Sequence, residues 1–376
     1  ERRTSQSRIP SYDRGASATW STKGLLATEL LTVGADYRLM SGFFDQQDYA
    51  NTVANTATTH ITSGGQQTLS GAYVIGLWSL GAAWRVEASA RMDHWTNSGA
   101  YAVEATGTSN YPDAARDAFS PRLGVKYQLA PALAVHAATY QAFRAPNLAE
   151  LYRKQVTSTT ISLPNPSLKP EFATGYELGI DWQPADWLQM KGTIYQANYT
   201  DFNTFVTLST TSGVTTRQRQ NVQKAKSLGG ELYLALRPLP HLEVGLSGNY
   251  DDARVADLGP VAPTALVFVG ARIGRVPQQR GTARITYDNR SIGTFTVLGR
   301  YESTNTTLGN SFTIPDFGVV DLSAQRHLVG DIDLFVSVEN VFDRPYYVTI
   351  SGTATAPIYS LGLPRTVRVG LDLLRF

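Results

Sequence analysis

The sequence predicts an all-β protein, a transmembrane antiparallel β-barrel, and three observations indicate this class. Apolar and polar residues alternate along many segments, as they do in a strand with one apolar and one polar face. These segments run about 10 to 20 residues, against about 5–6 for a typical soluble strand. Short turns and long polar loops follow each other in strict alternation, which is the asymmetry expected of a barrel that crosses a membrane.

The segment 175–183 illustrates the alternation. Leu178 and Ile180 fall on one face, and Glu177 and Asp181 fall on the other. Because successive side chains of a strand point to opposite faces, such a segment separates an apolar environment from a polar one. The same pattern recurs in 31–39, 84–93, 122–129, 242–251 and 331–338.

The alternating segments and their turns predict about 15 strands. We place them at 15–22, 25–42, 66–80, 82–96, 116–129, 132–144, 171–184, 187–209, 213–237, 241–254, 276–289, 292–304, 313–328, 331–343 and 360–376. Long polar loops are expected at 42–66, 97–116, 144–170, 253–276 and 343–360. An odd strand number predicts at least one further strand outside this chain, because single-chain bacterial barrels have even numbers.

Composition excludes several other classes of protein. The 376 residues carry a net charge of +2 and contain no cysteine, which excludes a disulfide framework and a thiolate metal site. The five histidines show no metal-ligand spacing, and no basic patch indicates nucleic-acid binding. Charged residues make up 17%, against about 25% in soluble proteins. We therefore expect no metal, no cofactor and no enzymatic constellation.

The N-terminal residues Glu1–Gly15 are polar and contain no apolar core of a signal peptide. The most apolar stretch, around residues 265–271, is far shorter than the roughly 18 residues of a transmembrane helix. A protein of an outer membrane needs an export signal, so we expect the chain to be processed, truncated or a fragment.

Three sequence blocks resemble a known family. Residues Phe119–Tyr152 end in FRAPNLAELY, Asn165–Trp182 begin with NPSLKPE, and Val338–Phe376 contain ENVFDRPYY and a terminal phenylalanine. In this order and spacing they resemble the TonB-dependent outer-membrane receptors. The resemblance implies a barrel of about 22 strands around a plug domain. Residues 1–376 would then be the C-terminal portion of that barrel, about strands 8–22, without the plug and the N-terminal strands.

The residues of these motifs are expected to be mainly structural. They are Phe143, Arg144, Pro146, Glu150, Asn165, Pro166, Asn340, Phe342, Asp343 and Phe376. Arg144 and Glu150 are expected to pair across their loop, and Asp343 to bond its own backbone in a turn. The parity of the last strand places Phe376 on the polar face, which predicts a bulge between Leu373 and Leu374.

The resemblance implies a receptor of the bacterial outer membrane that imports a scarce, bulky nutrient. Its partners would be the membrane lipid, the TonB energy-coupling complex through the missing N-terminal part, and a metal chelate such as a ferric siderophore. Side chains expected to face the lumen and the plug are Arg38, Arg85, Arg91, Arg122, Glu177 and Asp181. Loop residues suited to an anionic, aromatic ligand are Tyr101, Tyr111, Tyr152, Arg153 and Lys154.

Alternatives within the family are receptors for haem, cobalamin or glycans. Haem receptors of this family usually carry a histidine between the two loop motifs, and residues 153–163 contain none, although His60 and His94 are elsewhere in the chain. Outside the family, a passive porin predicts an unplugged lumen with a charged constriction. An adhesin or assembly barrel predicts extra soluble domains or a thinned membrane seam.

Overall fold

The computed structural model describes residues 5–49, 57–156, 160–259, 267–307, 310–353 and 356–373. Within them, fifteen antiparallel strands form a continuous wall. They are β1 Ser11–Thr22, β2 Leu30–Tyr49, β3 Ala57–Leu80, β4 Trp84–Glu104, β5 Ala114–Ala130, β6 Leu133–Arg144, β7 Glu171–Ala185, β8 Leu188–Thr211, β9 Val214–Leu239, β10 Leu242–Asp257, β11 Gln279–Asn289, β12 Gly293–Glu302, β13 Phe317–Val329, β14 Ile332–Glu339 and β15 Thr366–Asp372. The predicted all-β, antiparallel fold is confirmed. The fifteen wall strands match the predicted number of about 15, and shorter strands raise the sheet of the described residues to nineteen.

Consecutive wall strands pair with each other along the chain, from β1 with β2 to β14 with β15. Across the described residues, no pairing joins β1 to β15. The predicted short turns join the strands at one end, which we call the short-turn end. The opposite end, the long-loop end, carries the long connections. The described residues form these strands and connections, and no separate plug domain occurs among them.

Alternation determines the two faces of the wall. Leu178 in β7, Leu232 in β9 and Val369 in β15 lie on one face with 54%, 54% and 67% of their surface exposed. Large apolar side chains left this exposed indicate contact with something other than water. Polar side chains such as Asp93, 3% exposed, lie on the other face. The apolar outer face and the polar inner face are those expected of a barrel in lipid.

Several strands are longer than the alternation predicts. The predicted loop at 42–66 is largely wrong, because β2 continues to Tyr49 and β3 already begins at Ala57. The loops predicted at 97–116 and 253–276 are likewise shortened by β4 and β10. Above the apolar band the outer face of a hairpin no longer meets lipid, so the alternation of apolar and polar residues disappears while the backbone ladder continues.

The last predicted strand, 360–376, requires a correction. Residues 360 and 361 belong to a separate hairpin, formed by Tyr347–Thr353 and Ala356–Leu361, and the wall strand begins only at Thr366. Pro364 lies between the two elements, and proline cannot donate to a strand ladder. Phe376 and Leu374, with the predicted bulge, lie outside the described residues.

Smaller elements lie before β1 or in the connections between wall strands. They are the strands Ser5–Arg8, Gly107–Asn110, Gln155–Val156, Thr160–Leu163, Asn305–Thr306 and Thr313–Ile314, the 3-10 turn Leu25–Ala27 and the α-helix α1 Leu148–Tyr152. Thr160–Leu163 pairs parallel with residues 215–218 of β9. None of the helices in the described parts of the chain has the length and apolar character needed to cross a membrane.

Candidate functional site

The connection between β6 and β7, which we name the loop 145–170, is described at residues 145–156 and 160–170. These residues fold inward at the long-loop end and form the candidate site. Its helix α1 starts at a capping box: the Asn147 side chain accepts a hydrogen bond from Glu150 N at 2.9 Å, and Glu150 Oε2 accepts one from Asn147 N at 3.0 Å. The helix ends at Arg153, whose backbone is extended. The Asn-Leu-Ala-Glu sequence thus fixes a short helix inside an otherwise irregular loop.

An apolar cluster attaches this loop to the inner face of the wall. Leu151 and Tyr152 of α1, 0% and 3% exposed, pack with Trp95 of β4 and with Leu168. Gln67 of β3 donates a hydrogen bond to the carbonyl of the buried Pro146 at 2.8 Å. Burying four large apolar side chains, each worth about 1.5–3 kcal/mol, holds the loop in place.

A network of four charges crosses the base of the loop. Arg144 Nε lies 2.5 Å from Glu171 Oε2, and Arg144 Nη1 lies 3.0 Å from Glu150 Oε2. Arg219 of β9 reaches the other Glu150 oxygen at 3.5 Å. The pair predicted between Arg144 and Glu150 is therefore present, within a larger network. Both carboxylates have 12% or less of their side-chain surface exposed, so removing one cation would leave a poorly solvated charge.

Four of the five residues proposed to contact a ligand come together at this loop. The rings of Tyr111 and Tyr152 stack with centroids 5.2 Å apart, and Lys154 Nζ pairs with Glu104 at 2.8 Å. Burial raises the pKa of Tyr152, and burial together with the nearby Glu104 raises that of Tyr111. Tyr101 is the fifth, and in β4 it has the opposite parity to the buried residues Ala100 and Ala102, which places it on the outer face.

Arg153 holds a distinct position beside a cleft of about 300 Å³. Its guanidinium carbon lies 4.7 Å from the centroid of the Phe44 ring. Its Nε is buried and has no hydrogen-bond partner among the described residues. The cleft is also lined by Tyr152 and Met40. Arg153 thus offers an unused donor and a positive charge next to an aromatic surface.

A second cationic group at the long-loop end was not predicted from the sequence. The centroid of the Phe205 ring in β8 lies 4.0 Å from the guanidinium carbon of Arg217 and 4.3 Å from that of Arg219. Arg217 also donates to Ser162 Oγ at 3.0 Å. The available signal was the Arg-Gln-Arg spacing of 217–219, since residues two apart share a face of a strand. The sequence pattern predicts these residues only as part of the wall strand 213–237.

The six residues predicted to face the lumen share the inner face of the wall, and four of them form ion pairs. Arg38 pairs with Asp13, Arg91 with Asp36 and Asp93, Arg122 with Glu87, and Asp181 with Lys126. Arg85 donates to two carbonyl groups of its own turn. Glu177 lies on the same face in β7. The wall cations with carboxylate partners contrast with Arg153 and Arg217, for which the described residues supply no ion pair.

The remaining motif residues hold the loops together. Asn165 donates to the Arg219 carbonyl at 2.8 Å, and Pro166 follows it in the same turn. Asn340 bonds Arg344 N at 3.0 Å and the carbonyl of Leu363. Asp343 accepts from Arg365 N at 2.8 Å, so the expected bond to its own turn is replaced by a contact 22 residues away. Phe342 is 75% exposed, whereas Phe143 packs beside the apolar cluster.

The described residues contain no group of three or more His, Asp or Glu side chains arranged to hold a metal ion. The site offers three guanidinium groups on two aromatic rings, Arg153 on Phe44 and Arg217 and Arg219 on Phe205, and these suit an anion with a flat apolar surface.

Comparison with known proteins relates this chain to a family of receptors. The family model described as "TonB dependent receptor-like, beta-barrel" matches residues 2–341. The metal-pseudopaline receptor CntO of Pseudomonas aeruginosa is 24% identical over 265 residues, covering 68% of this chain and 33% of CntO. The chain thus spans about a third of the length of the curated relatives it matches.

Solved structures share the fold at low sequence identity. The ferric yersiniabactin uptake receptor FyuA of Yersinia pestis superposes with a TM-score of 0.74 at 15% identity, over 98% of this chain and 55% of FyuA. The copper transporter OprC gives a TM-score of 0.74 at 18% identity, over 98% of this chain and 57% of OprC. This chain belongs to the TonB-dependent receptors of the bacterial outer membrane, which are transport proteins and not enzymes, and it forms part of their β-barrel.

Proposed function

We propose that this chain is the C-terminal portion of a receptor barrel, about strands 8–22, that imports a ferric siderophore with energy from the TonB complex. The plug and the preceding strands would be contributed by sequence outside residues 1–376. The short turns would face the periplasm and the long-loop end the cell exterior. This orientation would place the inward-folded loop 145–170 where an external ligand enters.

The observation that carries the proposal is the pair of cationic aromatic groups at the long-loop end. Arg153 lies on Phe44 and Arg217 lies on Phe205, with distances of 4.7 and 4.0 Å to the ring centroids. Guanidinium groups provide bidentate donors for carboxylates and phenolates, while the rings provide apolar surface. An anionic chelate with aromatic or carboxylate groups matches both properties at once.

Charge compensation distinguishes these two arginines from the rest of the inner face. Arg38, Arg91 and Arg122 are neutralised by wall carboxylates, which makes them suited to structural roles. Arg153 retains a buried Nε without a hydrogen-bond partner in the described part of the chain. A buried donor left unsatisfied costs about 1–3 kcal/mol, and a bound anion would recover that cost.

The proteins with similar structures transport related cargoes, which supports a metal chelate without identifying it. Their names specify ferric yersiniabactin for FyuA and copper for OprC, and CntO is a receptor for metal-pseudopaline. Haem, cobalamin and glycans remain the alternative cargoes, and a passive channel remains the alternative mode of transport.

The test uses the full-length receptor and a strain that lacks it. Growth on single iron sources, each a ferric catecholate, hydroxamate or carboxylate siderophore, should fail for one source and be restored by the gene. Titration of the purified receptor with that ferric siderophore should show binding. Unchanged growth on every source together with no binding of any of these chelates would contradict the proposal.

Variants connect the result to the site. Arg153→Ala and Arg217→Ala should each weaken binding about tenfold or more, since a hydrogen bond to a charged group contributes about 1.5–3 kcal/mol. Arg290→Ala is the matched control, because this exposed arginine lies in a turn at the short-turn end. Equal affinity for all three variants would show that the ligand does not bind at the loop 145–170.

A further inference from the structure

Three positive side chains lie in one row across the outer part of the wall. In the ladder between β9 and β10, Lys226 is directly opposite Arg254. An isolated bridge then pairs Arg254 with Arg272, in the connection that follows β10. Residues directly opposite each other in an antiparallel pair lie about 4.5–5.5 Å apart at Cβ and point to the same side. The three cations therefore form a continuous row.

The row points away from the lumen. Along β9, Ala225 and Ser227 are 2% and 4% exposed, whereas Leu228, with the parity of Lys226, is 53% exposed. Tyr250, which has the parity of Arg254 in β10, is 47% exposed. Lys226 and Arg254 thus continue the outward, lipid-facing side of the wall.

The position of the row along the wall corresponds to the membrane surface. Lys226 lies thirteen residues from Leu239, where β9 reaches the short-turn end. At about 3.3 Å per residue and a tilt of 35–45°, this distance is roughly 30–35 Å along the barrel axis. The apolar band of such barrels is about 25 Å tall, so the row lies just beyond it on the side of the long loops.

The charges of the row are only partly compensated. Arg254 Nε pairs with Asp252 at 2.9 Å, and Arg254 Nη1 donates to the carbonyl of Gly270 at 3.1 Å. In the part of the chain that the structure describes, Lys226 has no ion pair, and Arg272 interacts with Asp252 only at longer range than an ion pair. Like charges directly opposite each other destabilise a sheet, so this row is not explained by the stability of the fold.

We propose that Lys226, Arg254 and Arg272 bind the phosphate of an anionic lipid in the outer leaflet, namely phosphorylated lipopolysaccharide. A phosphate group provides several strong acceptor oxygens, and basic clusters at a membrane surface recognise anionic headgroups in this way. The acyl chains of the same lipid would lie against the exposed apolar side chains of β9 and β10, including Leu228. The site is separate from the loop 145–170 and does not depend on which ligand the receptor carries.

The test measures lipopolysaccharide bound to the full-length receptor purified in a nonionic detergent, by native mass spectrometry or by phosphate content. The double variant Lys226→Gln/Arg272→Gln should retain at least fivefold less lipopolysaccharide than the unmodified receptor. Arg326→Gln is the matched control, because Arg326 is also exposed and has the outward parity of β13, close to the short-turn end. Equal retention by the double variant and the receptor would overturn the proposal.

A second measurement needs no variant and separates the lipid from other anions. Nanodiscs that contain bisphosphorylated lipid A should raise the thermal midpoint of the receptor above that in nanodiscs with dephosphorylated lipid A. Millimolar inorganic phosphate should not reproduce this increase. The same midpoint with both lipids, or an equal increase with free phosphate, would contradict a lipid phosphate site.

Discussion

Arg91 reaches across an entire strand to Asp36: Nη1 of Arg91 in β4 lies 2.6 Å from Oδ2 of Asp36 in β2, although β3 runs between them. The residue of β3 beneath this contact is Gly71, which pairs with both Asp36 and Asp93. Because glycine has no side chain, the guanidinium can lie flat on the inner face of the wall and bind Asp93 as well, at 2.6 Å.

Adding a side chain at Gly71 should destabilise the barrel. A Cβ at Gly71 would clash with Arg91 Nη2 and would lie 2.6 Å from Asp93 Oδ1, so Gly71→Ala must displace the guanidinium. Asp93 is 3% exposed and would lose its cation, at a cost of about 1–3 kcal/mol. Denaturant unfolding of the receptor in detergent measures the change. Gly245→Ala is the control, because a Cβ there meets nothing within 4 Å; equal losses at both sites would exclude the proposed role of Gly71.

The two faces of the wall should differ in their tolerance of charge. Leu178 is 54% exposed on the outer face, and its neighbour Glu177 lies on the inner face of β7. Leu178→Arg should cost about 2–4 kcal/mol near the membrane midplane, because the charge enters hydrocarbon. Glu177→Arg should cost less, as its side chain faces the polar lumen. Folding equilibria in lipid vesicles give the free-energy cost of each substitution. Equal costs would contradict the assignment of the two faces.

The charge of Glu150 should contribute more to the stability of α1 than its hydrogen bond to the helix start does. Glu150→Gln keeps an acceptor for Asn147 N but removes the charge that pairs with Arg144 and Arg219. Asn147→Ser is the comparison, since serine is also a preferred N-cap and leaves the ion network intact. We expect Glu150→Gln to increase hydrogen exchange across residues 148–152 and Asn147→Ser to change it little. The reverse order would show that capping dominates.

Alkaline pH should loosen the loop 145–170. Burial raises the pKa of Tyr152 and Tyr111 above the ordinary value of 10.0, because the phenolate is disfavoured at these sites. The unfolded loop therefore ionises first. The stabilising contribution is fully present below pH 10 and is lost as the pH rises through the raised pKa. Protection of the loop against proteolysis, measured against pH, should fall in this range.

Phenylalanine variants test this cause. The double variant Tyr111→Phe/Tyr152→Phe keeps the stacked rings but has no proton to lose, so its protection should fall less above pH 10. If the double variant and the unmodified receptor lose protection in parallel, other groups are responsible for the alkaline loss.

The wall strands and the short turns were predictable from the sequence because their signal is local. A strand with one lipid face and one wet face must alternate, so 175–183 predicts β7 and assigns Leu178 and Glu177 to opposite sides. The motif FRAPNLAELY also carries its own cap, since Asn147 and Glu150 are three residues apart on the helix start. These features depend on neighbours within a few residues.

The long-loop end was much less predictable. Where hairpins extend beyond the apolar band, the outer face no longer meets lipid and the alternation that marks a strand is lost. The alternation therefore predicts that β2 ends near 42 and that β3 begins near 66. The contact of Asp343 with Arg365 was also missed, because it joins residues far apart in the chain. Sequence gives no information on such pairings without the register of the surrounding sheet.

By itself the sequence determined the fold class, the number of long wall strands and the two faces of segments such as 175–183, since these follow from a two-residue period and its turns. Apart from the predicted pair of Arg144 and Glu150, only the tertiary structure decided which charges are compensated. Arg38 and Arg217 have the same chemistry, yet Arg38 meets Asp13 across the ladder while Arg217 meets the ring of Phe205. Likewise, the register alone places Lys226, Arg254 and Arg272 in one row. Charge compensation depends on distances between residues that are remote in sequence, and folding sets those distances.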